Sequence, residues 1–242
     1  HEFLKRRNKE MKKMAKIGFL TFLALITVVF PTIAQTQEQE IDSIQTAPTF
    51  VVGDKWVYNN YESLNDAKQG HNPGVDTTRI VREINDKGIL VSNPEGTRQY
   101  LYNKDFNMLE AHSKERDTFY KPFWPAYKYP MRVGDKYKVE FSNNRNDGHD
   151  NDYKATIRVV GWETVTVPAG TFKALKVEMT GYWTHPNPAQ VSEKWTSNFR
   201  GISWFAPEVK MRSVLYLWES WWGTRGGSRE RYESLKLYDL KK

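Results

Sequence analysis

The densest run of oxygen donors in the chain is Asn143-Asn144-Arg145-Asn146-Asp147-Gly148-His149-Asp150-Asn151-Asp152. Calcium prefers hard oxygens of this kind, so Asp147, Asp150 and Asp152 are the weak metal candidates. The spacing does not fit an EF-hand, because the glutamate that closes such a loop is missing. Asn, Asp and Gly are equally what a long hairpin loop needs. A solvated loop is therefore the default, and neither metal nor cofactor is expected.

His71, His112, His149 and His185 are scattered through loop-like contexts, with no paired spacing that would set two imidazoles on one face. His185 lies in Thr184-His185-Pro186-Asn187-Pro188, which is loop chemistry. The chain holds no glycine-rich phosphate loop, nucleophile elbow or zinc-hydrolase motif. Carboxylates are abundant, and a glycosidase uses a pair of them, but nothing singles out two. No enzyme is expected.

Aromatic side chains give the strongest distinctive signal. Phe119, Tyr120, Phe123, Trp124, Tyr127 and Tyr129 interleave with prolines, and Trp218, Trp221 and Trp222 lie beside a glycine-rich loop. On a strand, adjacent residues point to opposite faces, so Trp221 and Trp222 cannot both enter one core. An exposed pair of large aromatics would mark a binding surface, whereas β proteins also use such rings as core and cross-strand partners. Trp124, Tyr127, Trp204, Trp218, Trp221 and Trp222 form the candidate ligand-binding set.

The elements that must position these residues begin after an address. Residues 1–10 precede Met11-Lys12-Lys13 and are set aside as a cloning scar or an over-called start. Lys12, Lys13 and Lys16 lead into the apolar run Ile17 to Phe30, then Pro31-Thr32-Ile33-Ala34, a secretory layout with cleavage expected after Ala34. The run is shorter than the roughly 20 residues of a spanning helix, so no integral span is expected after cleavage. The sequence has no cysteine, so an acyl anchor at the cleavage point, a disulfide scaffold and a thiolate zinc site are all excluded.

Residues 1–34 carry seven Lys+Arg and two Asp+Glu; without them the totals fall from 36 and 29 to 29 and 27. The net charge drops from +7 to +2, too small a basic footprint for nucleic acid. The expected location is the periplasm or the exterior.

Gln35 to Pro48 is polar, lacks aromatics and reads as a flexible lead-in. From Thr49 onward alternation and turn chemistry dominate, which points to an all-β protein. The clearest strand is Thr171 to Thr180, with Leu175, Val177 and Met179 on one face and Lys176 and Glu178 on the other. Pro168-Ala169-Gly170 turns into it from a long strand, Tyr153 to Val167, bent or bulged at Gly161. Further strands are expected at Thr77 to Ile84, Ile89 to Ser92, Thr97 to Tyr102, Val209 to Trp222 and Ser228 to Leu240.

Val52-Gly53-Asp54-Lys55-Trp56 recurs as Val133-Gly134-Asp135-Lys136-Tyr137. A duplicated β unit accounts for this, and so does Gly-Asp turn chemistry arising twice. The expected division is a first β unit at 49–130 and a second at 131–242, joined through Phe119 to Pro130 or merged into one domain. The expected architecture is a curved antiparallel sheet or open half-barrel.

The passage Trp162-Glu163-Thr164-Val165-Thr166-Val167-Pro168-Ala169-Gly170-Thr171-Phe172-Lys173-Ala174-Leu175-Lys176-Val177, followed by Trp204-Phe205-Ala206-Pro207-Glu208-Val209, resembles exported bacterial proteins of the TapB-like kind and the related domain of unknown function 3108. The likeness covers about Gly134 to Ser213. After Pro207, where that family carries glycines, this chain has Glu208, Lys210 and Arg212. The resemblance implies a curved sheet similar to lipoprotein-carrier folds and no catalytic residue.

Four functions are compatible with this pattern. The leading one is a non-catalytic envelope protein holding an acyl chain, lipid or other amphipathic ligand on its sheet. The others are a carbohydrate-binding module with Trp221 or Trp222 and Trp124 as platforms, an envelope hydrolase with an Asp/Glu pair, and a surface assembly subunit. An unfilled concave sheet would favour carriage; a packed core would favour interaction.

Overall fold

A computed structural model describes residues 43–69, 74–185, 196–210, 213–222 and 227–242. The expected leader, most of the lead-in, His71 and the proline-containing loop after His185 lie outside the described residues.

The described residues are almost entirely β. The described strands are β1 (Ser43–Ile44), β2 (Lys55–Tyr61), β3 (Val75–Asn85), β4 (Gly88–Ser92), β5 (Arg98–Tyr102), β6 (Met108–Ser113), β7 (Asp117–Trp124), β8 (Met131–Arg132), β9 (Lys136–Arg145), β10 (Asn151–Val167), β11 (Gly170–Thr184), β12 (Thr196–Phe205), β13 (Leu215–Trp222) and β14 (Gly227–Asp239), and beside them the described residues hold a short α-helix, α1 (Leu64–Gln69), and a 3-10 turn at Pro207–Val209. Twelve strands close into an antiparallel barrel in the order β10-β11-β12-β13-β14-β2-β3-β4-β5-β6-β7-β9, and β1 pairs with β8 apart from it.

The expected open half-barrel is thus corrected to a closed one. Two long-range pairings close it: Tyr232 of β14 lies opposite Tyr61 of β2, and Thr118 of β7 opposite Arg145 of β9. Closure pairs the edge strands that an open sheet would leave exposed. The aromatic, proline-containing stretch expected to link two halves supplies barrel strand β7 instead. Structure also begins earlier than Thr49, since Ser43 and Ile44 pair with Arg132 and Met131 and Ile44 is buried.

The two Gly-Asp segments form the same turn. Gly53 and Gly134 have φ of 95° and 92°, which glycine adopts without strain. Asp54 N–H donates to Val51 O and Asp135 N–H to Arg132 O, both at 3.0 Å. Each carboxylate accepts the N–H of the residue three positions earlier, at 2.8 Å for Val51 and 3.0 Å for Arg132. Each glycine N–H then reaches a neighbouring strand, at Val81 O and Val159 O, both 2.9 Å.

Burial changes face along β11. Phe172 and Ala174 enter a first core with Trp56, Tyr58, Val91 and Tyr102, whereas Leu175, Val177 and Met179 enter a second core with Phe141, Tyr153, Ile157 and Phe199. Since strand side chains alternate, the two cores use opposite faces of this strand. The partner strand β10 adjusts with a bulge between Val159 and Gly161, a device that raises local twist. Trp56 Nε1 donates to Val209 O at 2.6 Å and Tyr58 O–H to Ser213 O at 3.1 Å, so the polar tips of the first core's largest rings are satisfied.

Candidate functional site

The six aromatic candidates do not form one site. Trp124, at the end of β7, and Trp218, in β13, meet with ring centroids 5.5 Å apart. Trp218 also stacks on Phe199 at 4.7 Å with the planes 17° apart. Trp124 meets Phe141 edge-on at 5.0 Å and Tyr153 at 5.7 Å. Gly201 lies directly opposite Trp218, and a Cβ there would stand 3.1 Å from its ring. Glycine at this position lets the indole lie flat against the wall.

Trp124, Gly201 and Trp218 line a cleft with Ala126, Val177, Met179, Ser203 and Tyr216. The space open inside it is about 20 Å³, room for about one water molecule. Small-molecule pockets run to roughly 300–1,000 Å³. The barrel here is filled by its own side chains. Burial pushes the Tyr153 phenol well above its ordinary pKa, as a closely packed apolar surround requires.

Of the other candidates, Tyr127 shares the second core with that pair, whereas Trp204 and Trp221 lie apart from it. Tyr127 is only 3% exposed; its backbone N–H and carbonyl are both held by the Asn107 amide, at 2.8 and 2.9 Å, and its ring packs on Phe205 at 5.3 Å. Trp204 belongs to the first core and donates its indole N–H to Glu163 at 2.6 Å. That bond holds the Glu163 carboxyl below its usual range, with the Lys176 ammonium at 3.0 Å adding to it. Trp221 stands on the face of β13 opposite Trp218 and is 44% exposed. Trp222 is on the same strand, and its side chain lies outside the described residues.

One residue that sequence reasoning missed belongs beside Trp221. Tyr182 of β11 pairs with Asn198 of β12, and Asn198 pairs with Trp221. Tyr182 is 39% exposed. Only the register across three strands aligns these residues; residues 186–195, between the first two strands, carry no pattern that sets it.

The oxygen-rich loop is shorter than expected, because β9 runs to Arg145 and β10 starts at Asn151. Asp147 binds the Arg145 guanidinium and accepts from His149 N–H at 3.2 Å. Asp150 accepts the Arg145 backbone N–H at 2.8 Å, and Asp152 points outward from β10. Two of the three candidate carboxylates therefore bond within their own turn, and among the described residues no group of three or more His, Cys, Asp or Glu is arranged to hold a metal ion.

Two ionic clusters lie elsewhere in the wall. Arg79 and Glu233 form a buried pair at 2.9 Å, with the guanidinium 4.5 Å above the Tyr58 ring. Burial alone would lower the Arg79 pKa, but Glu233 together with Tyr58, Tyr102 and Tyr100 outweighs it and the net direction is up. His112 of β6 lies 2.9 Å from both Glu110 and Asp117. Partial burial opposes its charged form, but the bonds to Glu110 and Asp117 outweigh that and raise its pKa.

No family model matches the chain, so the TapB-like resemblance gains no support. Nor does any curated protein match it. Among solved structures, an inferred lipoprotein from Parabacteroides distasonis is similar at 16% identity and TM-score 0.43, covering 80% of this chain and 97% of that one. An inferred exported protein with a YmcC-like fold from Bacteroides fragilis is similar at 15% identity and TM-score 0.43, covering 81% and 99%. The hypothetical lipoprotein YmcC from Escherichia coli is similar at 10% identity and TM-score 0.41, covering 79% and 85%. These likenesses are loose, and the functional reading rests on the residues of this chain.

Proposed function

We propose that this chain is an exported, non-catalytic binding protein of the bacterial envelope that recognises its partner on the outer wall of the barrel. The carrying observation is the filled cleft: about 20 Å³ of open space behind Trp124 and Trp218. An acyl chain on the inner face would have to displace one of these rings, at the cost of the stacking and edge contacts they make. Outside, by contrast, Trp221 and Tyr182 are already available.

A second reading is an apolar or amphipathic ligand held in the cleft, with the rings of Trp124 and Trp218 parting to admit it. The lining favours it, since Val177 and Met179 are apolar and the hydroxyls of Ser203 and Tyr216 could anchor a head group. Native mass spectrometry of gently purified protein, followed by titration with palmitate, separates the two. The outer-wall reading expects the mass of the bare chain and no saturable change in tryptophan fluorescence. A stoichiometric lipid that is lost in Trp218→Ala would overturn it.

A further inference from the structure

We infer that the outer face of β11, β12 and β13 binds a single extended polysaccharide chain, with Tyr182 and Trp221 as its two stacking platforms. This deepens the outer-wall reading and rests on it. Tyr182, Asn198 and Trp221 are directly paired across three adjacent strands, so their side chains share one face, turned away from the second core. The two aromatics are 39% and 44% exposed and stand two strand spacings apart, about 10 Å. That exceeds the reach of an aromatic pair, roughly 4.5–7 Å between centroids. Each ring is left to stack on something else.

The surroundings select the chemistry. Asn198 separates the rings, and the next row on the same face is Thr180, Arg200 and Glu219. Arg200 shares a hydrogen bond with Glu178 at 3.1 Å; among the described residues no hydrogen bond engages the side chain of Asn198 or Glu219. An apolar protein partner needs rings clustered in a dry centre with charges at the rim, and here an amide divides them. A lipid surface favours a cationic face, whereas this one carries both signs. A chain of pyranose rings matches both features. Its flat C–H faces cover the two aromatics at alternate sugars, and its hydroxyl edges meet the amide, hydroxyl, guanidinium and carboxylate between and beside them.

Sheet twist narrows the ligand further. Neighbouring strands rotate by roughly 20–25° each, so platforms two strands apart are turned by about 45°. A flat crystalline polysaccharide surface needs coplanar rings, while a free chain can follow the turn.

The test is affinity electrophoresis in native gels cast with soluble hydroxyethyl cellulose, galactomannan or glycogen, comparing the parent chain with Tyr182→Ala, Trp221→Ala and Trp221→Phe. The expected result is retardation of the parent in at least one gel. Each alanine variant should weaken it several-fold and the phenylalanine variant should keep part of it, with urea midpoints unchanged. A parent that runs unretarded in all three gels, or alanine variants retarded like the parent, overturns the inference. Unretarded protein with a lipid-free interior sinks the polysaccharide alone; lipid found inside the barrel sinks the outer-wall reading itself.

Discussion

Trp218 and Trp221 stand three residues apart on β13 and face opposite ways. Trp218 lies on Gly201, stacks with Phe199 and meets Trp124, so its ring is consumed by the barrel. Trp221 shares its strand and its chemistry, yet its cross-strand partners are Asn198 and Ser228 and its ring meets solvent. Strand parity alone makes the difference. One face of β13 holds the fold together, and the other is the face proposed for recognition.

Removing the inner ring should have the largest effect. Trp218→Ala leaves Phe199, Trp124 and Gly201 around a void, and a loss of about 3 kcal/mol is expected, at the low end for tryptophan truncation because the side chain is half-buried. For a domain of this size that lowers the melting temperature by roughly 6–12 °C in a thermal scan. Gly201→Ala attacks the same contact from the wall. Its Cβ would stand 3.1 Å from the ring, so the indole must shift by a few tenths of an ångström, and about 1 kcal/mol of destabilisation is expected in urea.

His112 gives a smaller, pH-dependent effect far from either tryptophan in sequence. Its pKa is raised in the folded protein, so the stability it contributes is fully present below the unfolded value of about 6.5 and is lost as pH rises through the folded value. Urea midpoints should fall between mildly acid and mildly alkaline pH, and His112→Gln should flatten that component. Trp221→Ala should leave the pH profile untouched. The smallest effect on stability is expected from Trp221→Ala itself, within about 0.5 kcal/mol of the parent.

Adjacency alone required that Trp221 and Trp222 not both enter one core, and Trp221 meets solvent. The bulge near Gly161 was equally open to reading, as were the paired Gly-Asp turns, because local backbone chemistry sets both. Closure was not legible. It depends on β14 meeting β2 across nearly the whole domain, and no local pattern marks that pairing. Pro122 and Pro125 disguised β7 as a connector, although a barrel strand can tolerate proline where no ladder N–H is needed. The alternation at Leu175, Val177 and Met179 revealed one buried face of β11, but only the first core shows that the other face is also buried at Phe172 and Ala174. Tyr182 stayed hidden because its relation to Trp221 is a matter of register across β12.

The contrast between the two tryptophans is tested most directly by running Trp218→Phe and Trp221→Ala side by side in the polysaccharide gel that retards the parent chain. Trp218→Phe keeps an aromatic ring in the core and should be retarded like the parent, whereas Trp221→Ala should migrate almost as in a gel without polysaccharide. Loss of retardation in Trp218→Phe with full retardation of Trp221→Ala would move recognition to the inner face and contradict the account.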